Sequence, residues 1–438
     1  MCAECSAART PFTSCGQNRG VDDPAHPGAP DDHPGAPGEV FSAFLRLGLT
    51  SFGGPIAHLG YFRAELVERR RWIADRDYAE LVALAQFLPG PASSQVGFAL
   101  GLRRAGWRGA LAAWSAFTLP SAVLMVAVAL GAPLFGSTVG AGILLGLQLV
   151  AVAVVAHAVL GMARTLAPDA ARASIAVGAA VLVLLTGLAF APVLAIALGA
   201  LAGLRWCRDA FASDDAGASS AAPATASGFG VSRRAGLVAL SVFAALLVAL
   251  PAAAALLPGS LLDLADGFFR AGALVFGGGH VVLPLLEGVA VDGGLVTPAE
   301  FLAGYGAAQA VPGPLFTFAA YLGAFAAPWP LALVSAAIAL VAVFLPGMLL
   351  LVAALPFWDR LRARPAARAA MAGANAAVVG VLGAALYDPV FTTAVTDPAS
   401  FALALACFAL LVAWRIPPWV VVIVGAAGGV LLALAQGG

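Results

Sequence analysis

The stretch Phe44-Leu45-Arg46-Leu47-Gly48-Leu49-Thr50-Ser51-Phe52-Gly53-Gly54-Pro55 returns later as Phe268-Phe269-Arg270-Ala271-Gly272-Ala273-Leu274-Val275-Phe276-Gly277-Gly278-Gly279. Phe, Arg, Gly, Phe, Gly and Gly recur in step, at a constant offset of 224 from Arg46 to Arg270. A second block follows each copy. It is Gln86-Phe87-Leu88-Pro89-Gly90-Pro91 in the first half and Gln309-Ala310-Val311-Pro312-Gly313-Pro314 in the second, at offset 223. Leu119-Pro120-Ser121 and Leu345-Pro346-Gly347 form a third pair. Three blocks in the same order mark an internal duplication.

The sequence around these blocks is membrane-like. Hydrophobic residues make up 61% of the 438 and charged residues 11%, against about 25% charged in soluble domains. Mean hydropathy is +0.94. A membrane helix needs about 20 apolar residues. Long stretches without an acid or Arg run over Gly109–Ala163, Ala173–Leu204, Ala235–Leu262, Phe301–Trp358, Ala369–Tyr387, Pro398–Trp414 and Ile416–Gly438. The expected fold is therefore an all-α, polytopic integral membrane bundle of two homologous repeats, with about 10 to 13 membrane segments.

Composition divides the chain further. Residues 1–38 are expected to be a disordered tail, rich in Pro, Gly, Asp and His, with no apolar run for a signal peptide. The first repeat covers 39–206. A flexible polar linker rich in Ala, Ser and Thr covers 207–234, and the second repeat 235–438. Cys2, Cys5 and Cys15 lie in the tail at a spacing that matches no zinc template, so no metal or other cofactor is expected. All 23 basic residues are Arg and formal net charge is zero, which leaves no basic field for a nucleic-acid partner. Neither a Gly-x-x-x-x-Gly-Lys nucleotide loop nor a nucleophile–base–acid set occurs, so neither ATP drive within this chain nor enzymatic activity is expected.

Arg placement orients the halves. Loops on the cytoplasmic side carry excess Lys and Arg. Arg63, Arg69, Arg70, Arg71 and Arg76 follow the first Gly-Gly block, while Glu287 to Glu300 after the second has no Arg. Arg103, Arg104 and Arg108 follow the first Pro-Gly-Pro, while Gly323 to Pro330 is uncharged. The bias then reverses, with Arg360, Arg362, Arg364 and Arg368 in the second half against a neutral Gly131 to Thr138. These are inverted repeats, an arrangement common in secondary transporters. Both Arg clusters of the first half flank Pro89-Gly90-Pro91 on the same side, which predicts a re-entrant hairpin with its tip inside the membrane. Arg69-Arg70-Arg71-Trp72 reads as an interfacial anchor with a belt aromatic.

Broken helices at membrane depth are tolerated only where protein or a water-filled cavity surrounds them. They also expose free N–H groups and the positive end of a helix dipole, which suit an anion. The candidate binding residues are the breaks and their polar neighbours. In the first half these are Arg46, Phe52, Gly53, Gly54, Pro55, His58, Gln86, Pro89, Gly90, Pro91 and Gln95; in the second they are Arg270, Gly277, Gly278, Gly279, His280, Gln309, Pro312, Gly313 and Pro314. Arg46 and Arg270 offer a donor fork for an oxyanion. His58 and His280 can titrate near neutral pH and couple protons to transport, or simply donate to backbone carbonyls.

The motif series resembles the chromate ion transporter family in its long, two-domain form. The resemblance rests on Phe52-Gly53-Gly54-Pro55-Ile56-Ala57-His58, Arg70-Arg71-Trp72, Gln86 to Pro91, Ala105-Gly106-Trp107-Arg108-Gly109-Ala110 and Phe117-Thr118-Leu119-Pro120-Ser121. Phe276-Gly277-Gly278-Gly279-His280 and Pro312-Gly313-Pro314 carry it in the second half. It implies a multi-pass protein of the cytoplasmic membrane that exports chromate and confers resistance, with sulfate as a competitor. Membrane potential suffices as the drive, and proton coupling is optional. Export of sulfate or another tetrahedral oxyanion is the neighbouring reading, and an anion channel or a non-transporting scaffold the reading of a different class. A homodimer is compatible with all of these. Gly279 stands in place of Pro55 and Val282 in place of His58, so a symmetric two-fold site is not expected.

Overall fold

A computed structural model describes residues 35–52, 54–131, 137–186, 191–207, 229–275, 282–358 and 364–436. The expectations for residues 1–34, most of the linker, Gly53 and Gly277, Gly278, Gly279 and His280 lie outside the described residues. The described chain is built from helices. Six of them are long and apolar enough to cross a membrane, and four shorter ones are apolar.

In the first half, α1 (Pro37–Thr50) starts on a Pro that its first turn tolerates. It buries Val40, Ala43, Phe44, Leu47 and Gly48, the stripe expected of a helix packed on one face. The Gly-Gly-Pro break separates it from α2 (Gly54–Phe62). After a wide turn at Arg63–Arg69 come α3 (Asp75–Phe87) and α4 (Ala92–Leu130). The half closes with α5 (Thr138–Leu166), α6 (Ala170–Thr186) and α7 (Ala191–Trp206).

The helix α4 is two helices. Ala105 and Gly106 leave helical geometry, Gly106 at φ 63°. A straight helix would hold residues 101 and 109 about 12 Å apart, yet a Cβ on Gly101 would strike the Gly109 carbonyl. The chain therefore folds back on itself at 105–106. The 13 residues of α3 and the limb 92–104 each span roughly 20 Å, too short for a ~30 Å hydrocarbon core. Arg103 at the end of one limb pairs with Asp77 at the start of the other, 3.4 Å apart. This is a helical hairpin with Pro89-Gly90-Pro91 at its tip, the shape the re-entrant expectation requires.

The second half repeats the plan after one additional helix, α8 (Arg233–Leu256). Then come α9 (Leu261–Ala273), α10 (Val282–Ala290), α11 (Pro298–Ala310), a 3₁₀ turn (Leu315–Thr317) running into α12 (Phe318–Ala324), and α13 (Leu331–Ala354). The helices α14 (Pro365–Ala385), α15 (Pro398–Val412) and α16 (Pro418–Gln436) complete it. Here α11 starts with a capping box, Thr297 and Glu300 each accepting from the other's backbone N–H. It forms a second hairpin with 315–324, in which the Tyr321 hydroxyl donates to the Glu300 carbonyl at 3.0 Å.

The halves are interlocked. α5 packs against α15 and α16 of the second half, and α14 packs against α6 and α7 of the first. Small residues let the backbones touch: Gly146 lies against Gly425 and Gly142 against Gly429, mirrored by Gly373 against Gly199 and Ala369 against Gly203. Each repeat thus lends its last two helices to the other, a reciprocal exchange that defines a two-fold relation.

Candidate functional site

Both hairpin tips make backbone contacts with the opposite half. The Gly90 N–H donates to the Val275 carbonyl at 2.7 Å, and the Gly313 N–H donates to the Ser51 carbonyl at 2.9 Å. Ser51 and Val275 are equivalent residues just before the Gly-Gly blocks, as Gly90 and Gly313 are equivalent within Pro-Gly-Pro. So each hairpin tip is tied to the broken helix of the other half. The third block joins the same crossing. The Ser121 hydroxyl donates to the Pro312 carbonyl at 2.5 Å, and the Gln95 amide donates to the carbonyls of Gly347 (2.8 Å) and Pro89 (2.9 Å). All three repeated blocks therefore exist to build one intersection of backbone.

Chemically the crossing is one-sided. His58, Ser93, Ser94 and Gln95 are all buried. Their counterparts at the same offsets are Val282, Phe316, Thr317 and Phe318. The His58 Nδ1 lies 3.4 Å from the Ser93 hydroxyl. Its ring meets Phe117 edge-on at 5.3 Å and sits close to the Ser51 backbone. The limb that opens at Ala92 has Ser93 and Ser94 in its first turn, where backbone N–H groups have no i–4 acceptor, and then Gln95, whose N–H donates to the Pro91 carbonyl at 2.9 Å. In the second half the corresponding start is a 3₁₀ turn, and its Thr317 hydroxyl is used on the Pro314 carbonyl at 2.8 Å.

Several buried polar atoms here have no partner among the described residues: Ser51 Oγ, His58 Nε2, Ser94 Oγ, Gln95 Oε1, Thr118 Oγ1 and Gln309 Nε2. Leaving such a group unpaired costs about 1–3 kcal/mol. The set is neutral and rich in hydroxyls, with Ser94 and Gln95 at the start of the limb 92–104, which suits a polar guest that must bind and then leave.

The other candidates fall in different places. Phe52 is half-buried, 6.1 Å from the Trp419 ring of α16. Gly54 and Pro55 are half-buried at the start of α2, while Pro91 and Pro314 are buried beside the crossing. Gln309 is buried but its equivalent Gln86 is exposed. Arg46 and Arg270 share the outward faces of α1 and α9, and neither side chain is buried in the crossing. Arg270 is tied to Asp266 at 2.5 Å. Asp266 itself is 2% exposed, a buried acid missed in the sequence although its i,i+4 spacing to Arg270 was legible. Ser51 and Thr118 were also missed. Each adjoins a repeated block, but hydroxyls are too common in sequence to stand out.

The Arg-Arg-Arg-Trp reading needs correction. Trp72 is 4% exposed and is no belt residue. Arg70 and Arg104 lie over its ring at 5.4 and 5.3 Å. Arg70 and Arg69 are paired with Glu65, at 2.7 and 2.9 Å. Arg63 is paired with Asp75 and Glu68, both at 2.6 Å. This cluster closes the base of the hairpin with its own counter-charges.

Arg270→Gln is expected to destabilise the protein by about 1–3 kcal/mol, because it strands the buried Asp266 carboxylate. Arg46 has no such partner among the described residues, so Arg46→Gln should leave the melting temperature unchanged. Adding Asp266→Asn to Arg270→Gln should recover most of the loss in a thermal melt of the purified protein.

A duplicated membrane bundle whose interrupted helices cross at its centre has the build of a transporter. Comparison with known proteins agrees. A family model described as "Chromate transporter" matches residues 38–204 and again 262–430. This chain belongs to the chromate transporter family. It is 30% identical over 406 residues to the "Chromate transport protein" of Pseudomonas aeruginosa, covering 89% of this chain and 90% of that one. The "Chromate transport protein" of Cupriavidus metallidurans is 31% identical over 402 residues, 88% and 90% of the two chains. A "Probable chromate transport protein" of Synechococcus elongatus is 28% identical over 414 residues, 89% and 93%. No solved structure matches the chain.

Proposed function

We propose that this protein exports chromate across the cytoplasmic membrane, binding the dianion on the first-half side of the crossing. The observation that supports this reading is the set of buried polar atoms without partners among the described residues, Ser94 and Gln95 at the start of the limb 92–104 and Ser51 at the contact with Gly313. Ser94, Ser51 and Thr118 supply neutral hydroxyl donors, and the helix start supplies a positive dipole end. None of these carries a full charge, so the anion is held without being trapped. The arginine bias supports a cytoplasmic base for the first hairpin, with the tip reached from inside. Export along the membrane potential is favourable, since one charge through 100 mV is worth about 2.3 kcal/mol and a dianion gains roughly twice that. Resistance to chromate follows from export.

The test is uptake of labelled chromate into everted membrane vesicles with an imposed potential, interior positive. Saturable, potential-dependent uptake is expected. Flux that never saturates means a channel, no flux means a scaffold, and uptake of sulfate but not chromate moves the substrate assignment.

A further inference from the structure

Away from the crossing, a groove of about 480 Å³ runs between the second limb of α4, α8 and α13. Its walls include Trp107 and Trp114 from α4, Val238 and Val242 from α8, and Phe344 and Val352 from α13. Charged residues are absent from its lining. The helix α8 belongs to no repeated block and leans on the bundle chiefly through α13 and α9. Only 11% of its most apolar window is buried within the fold. The groove is the gap that α8 leaves on its other flank, against the hairpin base.

One end of the groove is cationic. Arg234 precedes Val238 by one helical turn and Val242 by two, so it continues the face that lines the groove. Arg108 directly follows Trp107. Both arginines are exposed. Trp107 and Ala235 line the same groove, which brings the two arginines to the same end. Arg63, Arg69, Arg70, Arg103 and Arg104 each have a carboxylate partner. Arg108 and Arg234 have none among the described residues.

We propose that this groove is a binding site for one anionic phospholipid of the bilayer. An acyl chain fills the apolar channel between α8 and α4, and the headgroup phosphate sits on Arg108 and Arg234. The lipid completes the packing that the protein leaves open around α8. The charge at the rim, and not the apolar channel, selects the lipid, because every bilayer lipid has a suitable chain. Anionic headgroups are drawn to basic sites of this kind at the cytoplasmic face.

The experiment is native mass spectrometry of the full-length protein, delipidated in detergent and titrated with phosphatidylglycerol or phosphatidylcholine of matched chains. Wild type is expected to retain one phosphatidylglycerol with a preference of about tenfold over phosphatidylcholine. Arg108→Gln with Arg234→Gln should abolish the preference while leaving the melting temperature of the lipid-free protein unchanged. Ala239→Trp, which plugs the groove, should lose the bound lipid of either kind. Equal retention of the two lipids by wild type overturns the proposal. So does a preference that survives the double Arg variant, or a bound lipid that survives the plug.

Discussion

Valine at Gly90 or at Gly313 is expected to abolish transport and to destabilise the protein by about 2–6 kcal/mol. Two costs add. Gly90 sits at φ 120° and Gly313 at φ 103°, a backbone region in which a side chain is strained by about 1–3 kcal/mol. A Cβ at either position also meets an occupied neighbour, and overpacking of this kind costs about 1–3 kcal/mol. The two sites differ in what they meet. At Gly90 the added carbon would lie 2.8 Å from the Gly347 Cα, which is backbone and cannot yield. At Gly313 it would strike the Ser121 hydroxyl, a side chain. The milder Gly→Ala changes should therefore separate, with Gly90→Ala the worse. Ser121→Gly, which copies the Gly347 of the other half, should partly rescue Gly313→Ala and leave Gly90→Ala unrescued. Vesicle transport and thermal melts read both effects. Equal rescue of the two would mean that the tips do not cross as described.

Gln95→Leu should reduce chromate transport by tenfold or more while the protein still reaches the membrane. The amide holds the carbonyls of Pro89 and Gly347 together. A leucine of similar size removes both bonds, at about 1–3 kcal/mol in all. The hairpin tip of the first half then loses its tie to the third block of the second. Gln95→Glu should be worse, since a carboxylate would face two carbonyl oxygens and repel an arriving anion. Phe318 is the equivalent position across the two-fold. Phe318→Leu should lower stability without raising the KM for chromate, because that side of the crossing offers few polar atoms. A Gln95→Leu protein with an unchanged KM and rate would refute the one-sided site.

The membrane class and the duplication were decided by sequence alone. Apolar length and block repetition are local properties, and nothing in tertiary packing can reverse them. The hairpin was legible too, because two Arg clusters on one side of a short segment leave no room for a full span. The partnership of the breaks was not legible. Gly90 with Val275 and Gly313 with Ser51 are joined over separations that no local pattern encodes. Nor could sequence tell that Arg46 and Arg270 face outward, or that Gln86 is exposed while Gln309 is buried. Helix rotation about its own axis sets those, and rotation is fixed by the neighbours. Phe52-Gly53-Gly54-Pro55 and its copy announced that helices would break inside the membrane. Only the folded chain decided that each break is held by the other half, and that the polar groups gather on one side, because hydrogen bonding across the two-fold requires both halves in place.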